Sequence, residues 1–295
     1  MDENDEKYPG EIHTEDKLDV FEDACSACSF ELARIEHVDV TFIVSFEDRT
    51  LRGLSLLRLV PVKDCQEFEL TLDVHESLRF SHFRCAEEEL PFEVRGEQRQ
   101  TVSVKLQGRV QLLEIRFDVL PNSPALSWLL TNSGSSDPFL VTQDFPGWAR
   151  ALLPCYDVLC SRSTFSVTFL VPAGLTAVMP GLKVEAVQES GKAEASAFLD
   201  GHDTFKFLIE TPMSSEALAF VVGALESQAL GSRMQLFSRT LPPLEPLEAT
   251  LEQLLNILER YFGTCSALAQ GVAADAKLQV VLVPESCSPM GGRGL

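Results

Sequence analysis

From residue 31 onward the dominant repeat along the chain is two. Val38, Val40, Phe42, Val44 and Phe46 alternate with Asp39, Thr41, Ile43 and Ser45, the spacing of a half-buried strand. Asp48-Arg49-Thr50 forms a polar turn, and Leu51 to Val60 predicts the returning strand. Leu70, Leu72 and Val74 alternate with Glu69, Thr71 and Asp73. Val102, Val104 and Leu106 repeat the pattern, as do Leu113, Ile115, Phe117 and Val119. Short strands joined by Gly, Pro and Asp turns predict antiparallel sheets with one buried face. No helical pattern intervenes between them, which argues against βαβ units. A sandwich-like or saddle-shaped all-β domain follows.

The segment 121–138, rich in Asn, Ser and Gly, reads as a loop. Strands resume at 164–171, 205–209 and 218–222. Beyond Gly231 the character changes. Pro242-Pro243 and Pro246 break the chain, and Leu247, Leu251, Leu254, Leu255, Leu258 and Phe262 then fall at helical spacing over 246–262. Gly263 is positioned as its stop. A buried strand at 278–283 follows, and a helix and a strand are too little for a second domain.

Composition narrows the function classes. The chain has 295 residues, and its 45% apolar and 23% charged residues are those of a globular protein able to bury a core. A net charge of -20 argues against nucleic acid, which needs clustered Lys and Arg. Much of the excess lies in residues 1–24, read as an acidic, disordered, solubilising tail. No apolar run reaches the length of a membrane span, and no secretory signal precedes the first strand. The expected location is cytoplasmic, with the eight cysteines as thiols. Cys25-x-x-Cys28 has no second ligand pair at matching spacing and does not follow a strand, so neither zinc nor thioredoxin-type chemistry is expected there.

Motifs for catalysis are missing. His75-Glu76 resembles the start of His-Glu-x-x-His, but the second His position holds Arg79 and the segment follows a strand. His75 therefore reads as a surface residue at a strand end. Neither a nucleophile elbow nor a phosphate loop nor a dinucleotide fingerprint occurs. The residues alone describe a β-rich binding module without a visible active site.

Four ordered motifs add a resemblance. Asp137-Pro138-Phe139-Leu140-Val141-Thr142-Gln143, Ala149-Arg150 and Leu153-Pro154-Cys155-Tyr156-Asp157 resemble a block of the amino-terminal domain of gluzincin zinc aminopeptidases, the aminopeptidase N superfamily. Ala125-Leu126-Ser127-Trp128-Leu129 and Ala219 to Ser227 are similar to the leukotriene hydrolase and aminopeptidase B branch. The resemblance implies a mainly β fold: a saddle-like antiparallel β-sheet or sandwich over 25–230, then an incomplete α/β start of a thermolysin-like domain over 231–295. It implies that Gln143, with Gly291 and Gly292, faces the substrate, and that Arg150, Pro154, Cys155 and Asp157 form a structural motif, Arg150 and Asp157 as an ion pair. Cys155 has no His nearby to activate it.

The departures are as informative. Pro289-Met290-Gly291-Gly292 stands at the family's amine-binding motif, but Arg293-Gly294-Leu295 follows in place of Met-Glu-Asn. Phe145 replaces a polar residue near the substrate amine, and Leu159 replaces a proline. The expectation is a truncated family member (a fragment, splice product or incomplete gene model) without catalytic or metal-binding residues, inactive alone, zinc belonging to the full-length family. Its partner would be a peptide substrate, with self-association through an exposed C-terminal helix. The alternative is a stand-alone, non-catalytic β module that binds a peptide or a partner protein.

Overall fold

The computed structural model describes residues 26–62, 67–96, 100–107, 111–129, 138–143, 147–184, 201–262 and 277–284. The acidic segment 1–24, Cys25, Phe145, Gly263, Gly291 and Gly292 lie outside them.

The first half of the described chain holds β1 (Ala33–Ser45), β2 (Thr50–Pro61), β3 (Glu67–Asp73), β4 (Leu78–Cys85) and β5 (Glu88–Leu90). It continues with β6 (Phe92–Arg95), β7 (Thr101–Gln107), β8 (Gln111–Val119), β9 (Leu126–Leu129) and β10 (Phe139–Thr142). Then come β11 (Ser163–Pro172), β12 (Thr176–Val178), β13 (Leu182–Val184), β14 (His202–Met213) and β15 (Val221–Gly223). The last unit is β16 (Glu226–Leu230), β17 (Met234–Ser238), helix α1 (Leu244–Phe262) and β18 (Leu278–Val281).

These strands make an eight-stranded sheet, β13-β14-β11-β1-β2-β8-β4-β5, and three smaller ones, β12-β15-β10-β9, β3-β7-β6 and β16-β17-β18. The fold is mainly β, and most pairings are antiparallel. Two are parallel: β1 with β11, and β17 with β18. The second pair encloses α1, so β17-α1-β18 is a βαβ crossover following the antiparallel domain, where the period-two pattern gives way to a helical one.

Alternation explains the core, and one bulge corrects its phase. In β1 the buried residues are Ala33 and Ile35, then Val38, Val40, Phe42 and Val44. The register against β2 shifts between Ile35 and His37. That extra residue moves the apolar set from odd to even numbers while keeping it on one face. Across the sheet Gly53 of β2 pairs with both Phe42 and Phe117. A Cβ at Gly53 would overlap the Phe117 ring, so this strand glycine serves a close approach of an aromatic. Phe42 stacks on Phe169 at 5.8 Å between centroids, and Phe169 meets Phe220 at 4.8 Å. Phe220 thereby ties the large sheet to the segment that leads into β15.

Some sequence expectations change. The segment read as a loop contains β9, because the apolar Leu126, Trp128 and Leu129 pair with β10. The strand expected from 218 begins only at Val221; a 3-10 turn, Ser215–Ala217, precedes it, where Ser214 Oγ accepts from Glu216 N. Helix α1 starts at Leu244, and Pro246 sits in its first turn, where its lack of an N–H costs nothing. Asp73, a polar position in the alternation of β3, is buried at 1% exposure, since β3 ends against residue 155. His75, two residues past the end of β3, is half-buried; it accepts from Ser77 N at 3.1 Å, and burial pushes its imidazole pKa down.

The last unit has its own small core, Leu230, Met234, Leu236 and Leu255, with Leu244, Leu247 and Leu251 packed around it. Arg233 fastens the hairpin to α1 through Glu252 at 2.7 Å and Glu259 at 2.9 Å. The other face of α1 stays open: Leu254, Ile257, Leu258 and Tyr261 are 40–78% exposed.

Gly53→Ala is expected to lower the unfolding free energy by about 1–3 kcal/mol, the usual cost of overpacking. Urea titration of both proteins checks this, and an unchanged midpoint would mean that Phe117 can move aside freely.

Candidate functional site

The site grows from the end of β10. Thr142 is fixed by Phe220 from both sides: Thr142 N donates to Phe220 O at 3.1 Å, and Phe220 N donates to Thr142 Oγ1 at 3.0 Å. The next residue, Gln143, donates its N–H to Ala125 O at 2.7 Å. The aromatic contacts of Phe220 and the β9–β10 pairing thus set where the Gln143 side chain begins.

The chain returns at Gly147, whose φ of +82° is a conformation that favours glycine. Gly147 N donates to Glu216 Oε1 at 3.3 Å. Gln143, Trp148 and Glu216 line a small recess, closed beneath by Ala125, Leu152 and Leu218. Beside it lies an open hollow of about 330 Å³ lined by Leu159, Ser214, Glu216, Ala217 and Ala219. Leu159 is 71% exposed at its rim. Glu216 belongs to both.

Directly behind the recess is a buried polar junction. Arg150, in the 3-10 turn Ala149–Ala151, donates from Nε to Asp157 Oδ2 at 2.6 Å and from its backbone N at 3.2 Å. Asp157 is 1% exposed. Asp157 N in turn donates to Asp73 Oδ2 at 3.1 Å. Asp73 also receives Ser26 Oγ at 2.5 Å and Ala27 N at 3.2 Å. Its backbone pairs with Cys155, Asp73 N donating to Cys155 O at 2.9 Å. Pro154, Cys155 and Tyr156 are buried around these groups.

Electrostatics follow from that burial. For Arg150, burial works against the charged form, but the hydrogen bond and charge of Asp157 outweigh it and raise its pKa. Desolvation pushes the Cys28 thiol up to about 12, with Asp73 adding to the rise. Cys155 is pushed well up by the same cause, with Asp157 and Asp73 contributing. A thiol held protonated is neither a nucleophile nor a metal ligand.

The residues expected at the site therefore fall into two groups. Gln143 lines the recess, whereas Arg150, Pro154, Cys155 and Asp157 form the junction behind it. Two participants were not singled out in the sequence, Asp73 and Glu216. Asp73 was hidden by its place in an alternating strand. Glu216 had no local signal beyond Ser214, two residues before it, a residue type that caps turns. Among the described residues no three His, Cys, Asp or Glu side chains converge to hold a metal.

No family model matches the chain. Relatives are nonetheless found. Mouse aminopeptidase B is 25% identical over 295 aligned residues, 92% of this chain and 42% of that protein. Human aminopeptidase RNPEPL1 is 25% identical, across 82% of this chain and 38% of that protein. Among solved structures, native yeast LTA4 hydrolase superposes with a TM-score of 0.69 at 18% identity, over 87% of this chain and 38% of that one. The chain is a homologue of the aminopeptidase B and leukotriene hydrolase group. An M1 zinc metallopeptidase from Deinococcus radiodurans, bound to a Tyr-Ser-Ala substrate, shares the fold with a TM-score of 0.59. The chain spans about two fifths of the length of the aminopeptidase B and RNPEPL1 relatives. Against that group the mainly β architecture corresponds to the amino-terminal domain.

Burial of the thiols makes a pH prediction. The folded-state pKa of Cys28 lies above the ordinary thiol value of about 8.5. Its contribution is thus complete below that pH and is lost as pH rises toward 12, because only the unfolded chain gives up the proton. Urea midpoints should be lower at pH 10 than at pH 8, and Cys28→Ala should flatten the difference. Iodoacetamide at pH 8 should label the exposed Cys160 well before the buried Cys155, as peptide mapping would reveal.

Proposed function

We propose that this β domain is the substrate-channel domain of a zinc aminopeptidase, with the amino end of a peptide lying beside Gln143. The observation that carries the reading is the placement of Gln143: it closes β10 at the mouth of a recess, within a chain homologous to aminopeptidase B. The proposal divides the chain near residue 230. The β16–β17 hairpin crosses that point and packs with α1, so it joins the second unit, the start of a peptidase domain. Gly291 and Gly292 belong to the proposal as further substrate contacts, on the resemblance alone. Its setting is the cytoplasm, where Cys28 and Cys155 stay reduced. No helix among the described residues is long and apolar enough to cross a membrane.

Within this reading the 295-residue polypeptide binds peptide but does not cleave it. Its sequence carries no His-Glu-x-x-His, the pair of helical imidazoles that such chemistry requires. Incubated with an aminoacyl-naphthylamide and added zinc, it should release no naphthylamine. In two-dimensional NMR a free tripeptide should shift the amides of Gln143, Gly147 and Glu216. Turnover, or shifts confined to the opposite end of the large sheet, would contradict the proposal.

The open face of α1 bears on the state of the polypeptide in solution. Leu254, Ile257, Leu258 and Tyr261 form an apolar patch, and a second copy of the chain is the proposed occupant. Sedimentation velocity should show association that rises with concentration, and Leu254→Lys with Tyr261→Lys should abolish it. A wild-type chain that stays monomeric at high concentration would rule this out.

A further inference from the structure

Strand β2 lies inside the eight-stranded sheet, and its outward row reads Arg52, Leu54, Leu56, Arg58. Leu51, Gly53, Ser55, Leu57 and Leu59 are buried, so alternation turns these four to the other face. Arg52, Leu54 and Arg58 are exposed, and Leu56 is half-buried. Leu112 of β8, across from Arg58, is 47% exposed and widens the apolar part. β2 itself holds no acidic residue. The acids on neighbouring strands are engaged or shared: Asp39 lies 3.5 Å from His37, and Glu114 meets His82 and Arg116. Asp118 is across from both Arg52 and Arg79. Among the described residues neither Arg52 nor Arg58 has an ion-pair partner. An open row of two arginines flanking two leucines, in a chain of net charge -20, suits a cover that is acidic and apolar.

The chain carries such a strip. Residues 1–24 hold ten carboxylates and two lysines. Within them Asp16-x-Leu18-x-Val20-x-Glu22 repeats the order of Arg52-x-Leu54-x-Leu56-x-Arg58 with the charge reversed. In both rows two charged residues six positions apart flank two apolar ones at a period of two. An extended chain covers about 20 Å in six residues, so the ends of the two rows coincide. The order is symmetric and fits in either direction. Ser26 lies seven residues before β1, so the strip arrives at the end of the sheet where Arg34 is exposed.

We propose that residues 16–22 lie extended along the outer face of β2, Leu18 and Val20 on Leu54 and Leu56, with Asp16 and Glu22 paired to Arg52 and Arg58. The occupant is this chain's own amino-terminal segment. Exposed ion pairs add little by themselves; they fix the register, while burial of the four aliphatic side chains supplies the affinity. Tethering raises the local concentration of the strip at the face it covers. The contact is independent of the substrate-channel reading.

The test uses the full 295-residue chain and NMR relaxation at the amides of Leu18 and Val20. Docked, these amides should have order parameters of about 0.8, close to those of rigid backbone. Arg52→Glu with Arg58→Glu sets like charges face to face and should lower the values below about 0.6. Circular dichroism verifies that the sheet survives these two exposed changes. Asp16→Lys with Glu22→Lys should lower the values equally, and it alters no residue of the sheet. All four substitutions together should restore the order, because the charges then match again with signs exchanged. Low order parameters in the wild type would overturn the proposal. So would order that persists through either charge reversal, or that fails to return in the fourfold variant. Order that appears only at high chain concentration would overturn the intramolecular contact and assign the strip to a second copy.

Discussion

The structure depends on two buried carboxylates, Asp73 and Asp157, and on where their donors come from. Each is 1% exposed, and removing such a charge from water costs several kcal/mol. The cost is offset by donors, which for Asp73 come from distant parts of the sequence and for Asp157 from seven residues away. Asp73 takes Ser26 Oγ and Ala27 N from the start of the described chain, and Asp157 N from the far side. Asp157 takes Arg150 through both backbone and guanidinium. Asp157 Oδ1 has no partner among the described residues, so the junction is not fully satisfied. A network of this kind adds little net stability over an apolar core, but it allows only one arrangement of the three segments.

That arrangement is what gives the recess its walls. Arg150 lies in the turn Ala149–Ala151, and the residues just before it, Gly147 and Trp148, face Glu216 and Gln143. Ser123 Oγ donates to Ala151 O at 2.8 Å, which ties the same turn to the segment before β9. From the other side, Phe220 is anchored among Phe42 and Phe169 and holds Thr142 by paired hydrogen bonds. The recess is thus clamped between an ionic junction and an aromatic cluster, and each element reaches it through contacts of long sequence separation. The α1 unit is different. It packs on its own hairpin and leaves Leu254, Ile257, Leu258 and Tyr261 open, so its stability is more local.

Much of the fold was legible because alternation is a direct consequence of a sheet with one wet face. The strands around Val40, Leu72, Val104 and Ile115 are of this kind. The sequence could not show β9, whose four residues are too few to establish a period. Nor could it show the bulge after Ile35, which exchanges the inner and outer sets within one strand. The parallel β17–β18 pair depends on a crossover whose partner strand lies forty residues away. At the site, Gln143 and the Arg150–Asp157 pair were visible through a family block. Asp73 and Glu216 were not, because their roles arise from neighbours 84 and 69 residues distant. Such partners leave no trace in local spacing.

The most direct test of the junction is a double-mutant cycle between Arg150 and Asp157, measured as unfolding free energy by urea titration. Arg150→Gln and Asp157→Asn should each destabilise by about 3 kcal/mol, since each leaves its partner charge buried. Together they should cost little more than either alone, a coupling of about 1–3 kcal/mol. Additive effects, within about 0.5 kcal/mol, would contradict the account: the pair would then be incidental, and the walls of the recess would have to be held by packing alone.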